Sequence, residues 1–480
     1  MSVSRQFSTG VAWMALGNWA EQAINFTVFV ILARLLGAES FGLLAMASAL
    51  VILSEFLVRE SLSEFLIAAP SPTVGHFNAA FWSLLGLGLG LTLVLALASG
   101  PMAGFFGQPL VAGLILALSP TVLMIAVTAV PVAWLRRELQ FRTLALRAIA
   151  GVAAGGVVGI GMALAGFGVW SLAGQRLVQV GVNVLMAWYA VGWRPGLTTS
   201  RADAAAVVAF GAQVLGLRAA ELAATQTPTL IVGATLGPTA VGLYAIGWRL
   251  IELTSFLIVT PLRMVSQPAF ASMTRSGARA ADLLGDIDRL SGLIAFPMFA
   301  GLAVLSEPVL HLAFGQKWLE AAPVLSILCV IGAYLCIERV HVSYCLAAGR
   351  ASRLTLIAWS EVALGSGLIW LATPFGLSAV AAAYAVTFLS LWPLRLAVVA
   401  GLTGIGLRAL LSTHLPALSA TLIMAAGVAL AAFGMKAFPP LLILMAGTAA
   451  GIVVFAALAV MFLSDRLALL RSYILLRKKP

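Results

Sequence analysis

Long apolar stretches, each separated from the next by a few polar or turn-forming residues, run almost from one end of the chain to the other. A stretch of about 20 apolar residues, wound as an α-helix at 1.5 Å per residue, spans the roughly 30 Å of hydrocarbon in a bilayer. Six such windows lie at 10–35, 41–66, 77–99, 110–134, 144–166 and 169–191. Six more lie at 204–235, 240–270, 288–311, 320–347, 354–373 and 376–399, and two follow at 415–433 and 439–463. The pattern predicts an all-α integral membrane protein with fourteen transmembrane helices. Several windows of the second six exceed the bilayer thickness, so those helices are expected to tilt or kink. Pro228, Pro261, Pro268, Pro297, Pro308 and Pro323 fall in or beside spans 7 to 10. Each removes a backbone hydrogen bond, which makes this half the more readily bent.

Composition agrees: 62% of the 480 residues are hydrophobic and 9% are charged, with mean hydropathy +1.06. The formal net charge of +11 does not gather into a basic patch of the kind that binds nucleic acid. Instead the cations punctuate the apolar runs. With the N-terminus in the cytoplasm, nineteen Lys and Arg fall in cytoplasmic segments, among them Arg136, Arg137, Arg142, Arg147, Arg395 and Arg466, and only Arg34, Lys317 and Lys436 fall on the other side. That asymmetry places both termini in the cytoplasm. The first span carries Asn18, Glu21 and Asn25 and lacks a small-residue cleavage site, so it reads as a retained helix.

The chain also resembles itself. At an offset of 200, LGAESFGLLA (Leu36 to Ala45) aligns with LGPTAVGLYA (Leu236 to Ala245), Glu21 with Glu221, and Phe56-Leu57 with Phe256-Leu257. At an offset of 208, the FGQ of Phe106 to Gln108 recurs at Phe314 to Gln316. The reading is two homologous six-helix lobes in the same orientation, a parallel repeat, at 1–200 (spans 1–6) and 201–402 (spans 7–12). Residues 403–480 add spans 13–14 and a basic cytoplasmic tail. Two parallel lobes enclosing a cavity are the architecture of alternating-access carriers.

Six arginines lie inside spans, Arg59, Arg176, Arg218, Arg249, Arg263 and Arg339, whereas every lysine lies outside them. A cation at the bilayer centre costs at least about 2.5 kcal/mol on insertion scales, so these side chains are expected to face a wet or ion-paired interior. Glu55 stands four residues before Arg59, Glu221 three after Arg218 and Glu252 three after Arg249, spacings that share a helix face. Any single pair can serve only to fix helix packing. Six guanidiniums and no ammonium together point to a planar, multivalent anion such as a pyrophosphate, because guanidinium offers paired donors and keeps its proton. These arginines are therefore the candidate substrate-binding set. Glu21, Glu55, Glu221 and Glu252 are candidates for balancing that charge or for binding a coupling proton or Na+.

Enzymatic machinery is not legible. The four histidines, His76, His311, His341 and His414, are scattered, and no P-loop, HExxH or GxSxG pattern stands out. No metal or organic cofactor is implied. His341 titrates near neutrality, though a lone helical histidine more often packs or hydrogen-bonds. Cys329, Cys336 and Cys345 share one apolar stretch and read as packing residues. The glycine runs Gly86 to Gly90 and Gly155 to Gly161 read as sites of close helix packing.

The opening segment FSTGVAWMALGNWAEQAINFTVFVILARLLGAESFGLLAMA (Phe7 to Ala47), with its R-L-L-G-x-x-x-F-G-L core, resembles the start of the polysaccharide transporter family, the Wzx-type lipid-linked oligosaccharide flippases. WLRRELQFRTLALRAI (Trp134 to Ile149) is similar to that family's cytoplasmic loop, in the subgroup of the colanic acid exporter. The resemblance implies a fold of the multidrug and oligosaccharidyl-lipid exporter superfamily in a bacterial inner membrane. It implies an alternating-access flippase that carries undecaprenyl-pyrophosphate-linked repeat units to the periplasmic leaflet, with a cationic cavity between lobes for the pyrophosphate and sugars. A polysaccharide polymerase and a chain-length regulator are implied partners. Alternatives are a flippase of the peptidoglycan lipid precursor, a multidrug exporter of the same superfamily, or a membrane-embedded polymerase or ligase. The short outside loops argue against the last.

Overall fold

The computed structural model of the protein describes residues 3–61, 66, 73–198, 201–276, 280–348 and 351–466, and within these it leaves aside the side chains of 3–12, 60–61, 201–218, 221, 259–269, 271–276, 280 and 351–352. Every regular element among the described residues is helical. In chain order these are α1 (Val3–Leu35), α2 (Ala38–Ser61), α3 (Val74–Phe106), α4 (Pro109–Leu118), α5 (Pro120–Arg137), α6 (Phe141–Leu164), α7 (Trp170–Ala190) and α8 (Arg201–Ser276). There follow α9 (Ala280–Val304), α10 (Ser306–Phe314), α11 (Ala322–Ala347), α12 (Ala351–Ala372), α13 (Leu377–Thr403), α14 (Leu407–Gly434) and α15 (Pro440–Phe462), with short 3-10 turns at Gln316–Ala321 and Thr373–Phe375.

Among the described residues, eleven stretches are long and apolar enough to cross a bilayer, and α4 with α5 forms one of them, Pro109–Arg137. The multi-pass membrane class follows directly. Fourteen crossings are reached once α8 is divided at Gly237, where the backbone leaves the helix at φ 82° and ψ −178°, and α1 and α7 are added. Those two helices are diluted by Asn18, Glu21, Gln22 and Asn25 in α1, and by Gln175, Arg176, Gln179 and Asn183 in α7.

The chain divides into two compact units, Met1–Gly242 and Leu243–Pro480. Lipid is as apolar as leucine, so helices in a membrane associate chiefly through close packing and polar contacts. In the first unit α6 supplies that closeness. Gly151, Gly155 and Gly159, one turn apart, face Gln175, Gln179 and Asn183 of α7, while Gly156 faces Val28 of α1. A Cβ on Gly155 would come within 2.6 Å of the Gln175 carbonyl oxygen. The other glycine run behaves differently: Gly88 packs on Ala126, but Gly86 and Gly90 meet open space. Packing therefore accounts for only part of it.

Among the described glycines of this unit, those of the repeated motif make the tightest backbone approach. A Cβ on Gly42 would strike the carbonyl oxygen of Pro238, and one on Gly242 would strike that of Ala38. The two contacts are reciprocal at the same offset of 200 that relates the motifs in sequence. The chain break before α2, at Leu36 and Gly37, corresponds in the same way to the break of α8 at Gly237.

In the second unit, α14 and α15 cover α9 and α10. Leu293 packs with Ala420, Ala459 and Leu463, and Leu305 with Met424 and Val428. Beside the latter group lies an apolar cleft of about 340 Å³. Cys329, Cys336 and Cys345 are buried and unbridged in α11, as packing residues would be.

Candidate functional site

A cavity of about 350 Å³ opens inside the first unit, walled by α1, α2, α5, α6 and α7. Its polar lining comes from Asn18 and Glu21 of α1, Arg59 of α2, Arg136 of α5, Arg147 of α6, and Arg176, Gln179 and Asn183 of α7. On α7 these positions are spaced i, i+3 and i+7, and on α1 i and i+3, so each helix turns one polar stripe inward. This accounts for most of the dilution of α1 and α7: five of the eight polar residues, Asn18, Glu21, Arg176, Gln179 and Asn183, line the cavity. The approach between α5 and α6 depends on a tight turn in which Leu139 takes a left-handed conformation, φ 55°, which L side chains rarely adopt. That turn brings Arg136 and Arg147 to one mouth. Arg142 lies 5.5 Å from the ring centroid of Trp13 and holds α6 against α1 there.

The electrostatics are one-sided. Four guanidiniums and one carboxylate, Glu21, line the wall. Arg176 is oriented from behind: its Nη2 donates to Glu55 Oε2 at 2.5 Å, and the Thr121 hydroxyl donates to Glu55 Oε1 at 2.7 Å. Glu55 is 5% exposed, whereas the Arg176 side chain is 36% exposed, so the pair presents the cation and hides the anion. Glu21 lies within electrostatic reach of both Arg147 and Arg59. The Nε of Arg147 and the Oδ1 of Asn183 are buried without a hydrogen-bond partner in the protein. Buried polar groups of this kind are normally satisfied by water or by a ligand. The arrangement can bind an anion with several oxygens and, through its amides, neighbouring hydroxyl groups.

Of the residues singled out from sequence, Arg59, Arg176 and Glu21 converge on the cavity, with Glu55 immediately behind it. The strong partner of Glu55 is Arg176, 121 residues away, and not only its neighbour in sequence. Arg249 and Glu252 form the expected i, i+3 pair at 3.3 Å on α8, in the second unit, with both side chains partly exposed. Arg339 is exposed on α11. Arg218, Glu221 and Arg263 lie outside the described side chains.

Three further arginines were assigned to loops by their place near span ends, and the structure corrects this. Arg136 and Arg147 line the cavity, since α5 and α6 reach further than the apolar runs within them. Arg395 sits inside α13, 7% exposed, in the second unit. It clamps Glu361 through two parallel bonds, Nε to Oε1 at 2.8 Å and Nη2 to Oε2 at 2.6 Å, and its Nη1 also donates to Glu338. It is therefore no topology marker. The polar stripe of α7 was the available signal for the cavity; no spacing rule within one helix could have revealed the clamp.

A cationic, amide-bearing cavity in a bundle of fourteen crossings narrows the field, and comparison with known proteins decides the family. Residues 31–323, more than half of the chain, match the family described as polysaccharide biosynthesis protein. The chain belongs to that family. The matched region begins three residues before the R-L-L-G motif of Arg34 to Gly37 and includes four of the cavity's five helices in full. Two curated relatives are similar over about two thirds of their length. One is the succinoglycan biosynthesis transport protein ExoT of Rhizobium meliloti, 26% identical over 68% of this chain and 66% of that protein. The other is the lipopolysaccharide biosynthesis protein WzxC of Escherichia coli, 25% identical over 69% of this chain and 68% of that protein. Among solved structures, the lipid II flippase MurJ in an inward closed conformation covers 94% of this chain and 99% of its own, with TM-score 0.75 and 14% identity. At that identity the likeness speaks for the fold, which is the one the sequence resemblance implied.

Proposed function

We propose that this family member is a flippase that moves polysaccharide repeat units, linked to undecaprenyl pyrophosphate, from the cytoplasmic to the periplasmic leaflet of a bacterial inner membrane. Both termini lie in the cytoplasm, and the products feed surface or exopolysaccharide assembly. The observation that carries this reading is the arginine-lined cavity of the first unit. Four cations gathered on helices that cross the bilayer call for a hydrated, anion-accepting space, since each one placed in hydrocarbon would cost about 2.5–3.5 kcal/mol. Paired N–H donors fit phosphate oxygens, and the amides of Gln179 and Asn183 suit sugar hydroxyls. The polyprenyl tail stays in lipid while the cavity opens to one leaflet and then to the other.

The chain acts as a secondary transporter, not an enzyme, and uses a proton or Na+ gradient and no resident cofactor. Its working partners are the lipid-linked oligosaccharide and, next in the assembly line, a polysaccharide polymerase and a chain-length regulator. The cationic walls argue against export of cationic drugs. In a host lacking its own flippase for the matching glycan, Arg59→Ala and Arg176→Ala are expected to reduce polymer export at least about tenfold, the cost of one lost charge-assisted contact. Membrane insertion, followed by immunoblot, should be unchanged. Normal export from both variants would overturn the proposal.

A further inference from the structure

Beyond the cavity, the second unit buries a separate group of titratable side chains. Asp288 of α9, His341 of α11 and His414 of α14 are 1%, 3% and 3% exposed. Asp288 Oδ2 lies 2.7 Å from His341 Nε2 and 4.0 Å from His414 Nε2, so one carboxylate oxygen faces both imidazoles. Several polar atoms here have no hydrogen-bond partner in the protein: Asp288 Oδ1, both ring nitrogens of His414, Ser291 Oγ and Thr421 Oγ1. A cluster retained only for packing would be fully bonded or apolar, since an unmet polar group in a protein interior is costly. Among the described residues no three His, Cys, Asp or Glu side chains converge as a metal ion would require.

The charges that bear on this group leave a deficit. Glu338, three residues before His341 on α11, and Arg395 of α13 act on His341, and Glu361 of α12 is clamped to Arg395. Arg466, which follows α15 and donates to the Thr413 carbonyl, acts on His414. Arg289 of α9 pairs with Asp286 at 3.7 Å and adds no net charge. Three carboxylates (Asp288, Glu338, Glu361) therefore face two guanidiniums (Arg395, Arg466), and one proton on the imidazole pair closes the balance. The rings of Phe296 and Trp392, 5.9 and 6.1 Å from His414, offer π faces or edges beside that charge. Leu293, Ala420, Ala459 and Leu463 form an apolar cluster on the same helices, α9 and α14, and beyond them on α15.

We propose that Asp288, His341 and His414 form a proton-binding site that joins α9, α11 and α14, and that this site is where the transporter takes up its coupling proton. The event is simple: a proton adds to one imidazole nitrogen, the imidazolium is shared against the Asp288 carboxylate, and release reverses it. Because the three residues come from three helices, the proton ties those helices together, and its loss weakens the polar tie of α14 to α9. The coupling half of this proposal rests on the transport reading above; the binding half does not.

The test uses the full-length protein in lipid nanodiscs with its histidine rings labelled with nitrogen-15. Only four histidines exist, so His→Gln variants assign every resonance. His341 and His414 are expected to titrate as a coupled pair on acidification, taking up about one proton in all. Asp288→Asn should abolish that coupled uptake and leave His76 unchanged. Should Asp288→Asn fail to insert, His414→Gln is expected to displace the His341 titration by a measurable shift. Two rings that remain neutral throughout, or titrations unaltered in whichever variant inserts, would overturn the site. Export measured against external pH separates the two readings. A strain exporting polymer with no titrating pair sinks the proton site alone, and a titrating pair in a chain that exports nothing sinks the transport reading and the coupling with it.

Discussion

The cavity of the first unit and the histidine–carboxylate cluster of the second are both polar, intramembrane and built from several helices, yet they are charged in opposite senses. In the first, Arg59, Arg136, Arg147 and Arg176 outnumber Glu21 and the hidden Glu55. In the second, Asp288, Glu338 and Glu361 outnumber Arg395 and Arg466. The second group is also more deeply sealed: Arg395 is 7% exposed, whereas the side chain of Arg176 is 36% exposed. The difference teaches that the two compact units are both built of packed helices and carry opposite chemistry. A partly open cation can meet a large anion, while a closed cluster with a missing positive charge can meet little besides a proton.

Breaking the comparison at its most buried point should give the largest effect. Arg395→Ala leaves Glu338 and Glu361 without their cation, and removing one partner of a buried ion pair costs about 3–5 kcal/mol. A marked fall in melting temperature, read by fluorescence-detected size-exclusion chromatography of the solubilised protein, is expected, whereas Arg176→Ala, which strands one buried carboxylate and leaves it the Thr121 hydroxyl, should fall less. Equal melting of the two variants would erase the distinction between structural and functional arginines. Next in size, Glu55→Gln keeps the shape behind Arg176 but removes its counter-charge. Export is expected to fall by roughly three- to tenfold as the guanidinium loses its orientation, about the worth of one charge-assisted hydrogen bond. Retained export would mean that Arg176 needs no support. The smallest effect belongs to Arg249→Ala. Its partner Glu252 is half exposed, and such pairs contribute about 0–1 kcal/mol, so the melting temperature should hardly move. Any loss of export in that variant then reports contact with the carried anion.

The spans were legible because hydrocarbon thickness imposes a length and a composition that few other structures share. The family was legible because the motif from Arg34 to Leu43 carried a resemblance to it, and the matched region covers that motif. Half of the candidate site was also within reach: arginine inside an apolar run is expensive enough to flag Arg59 and Arg176. What stayed hidden depended on partners from other helices. Spacing rules report neighbours three or four residues apart, whereas Glu55 reaches Arg176 across 121 residues and Arg395 reaches Glu361 across 34. Arg136, Arg147 and Arg395 share one further difficulty. A cation near the end of an apolar run satisfies the rule for topology as well as the rule for function, and only coordinates tell which applies. Asp288, the first residue of the window 288–311, escaped notice because its partners, His341 and His414, come from other helices.

The mutual fit of Gly42 with Pro238 and of Gly242 with Ala38 leaves no room for even a methyl group at either glycine. Alanine at one of them would drive its Cβ into a carbonyl oxygen, so the two backbones would have to part before the chain could pack. The neighbouring positions carry no such demand, and Glu39-Ser40 stand in one segment where Thr239-Ala240 stand in the other.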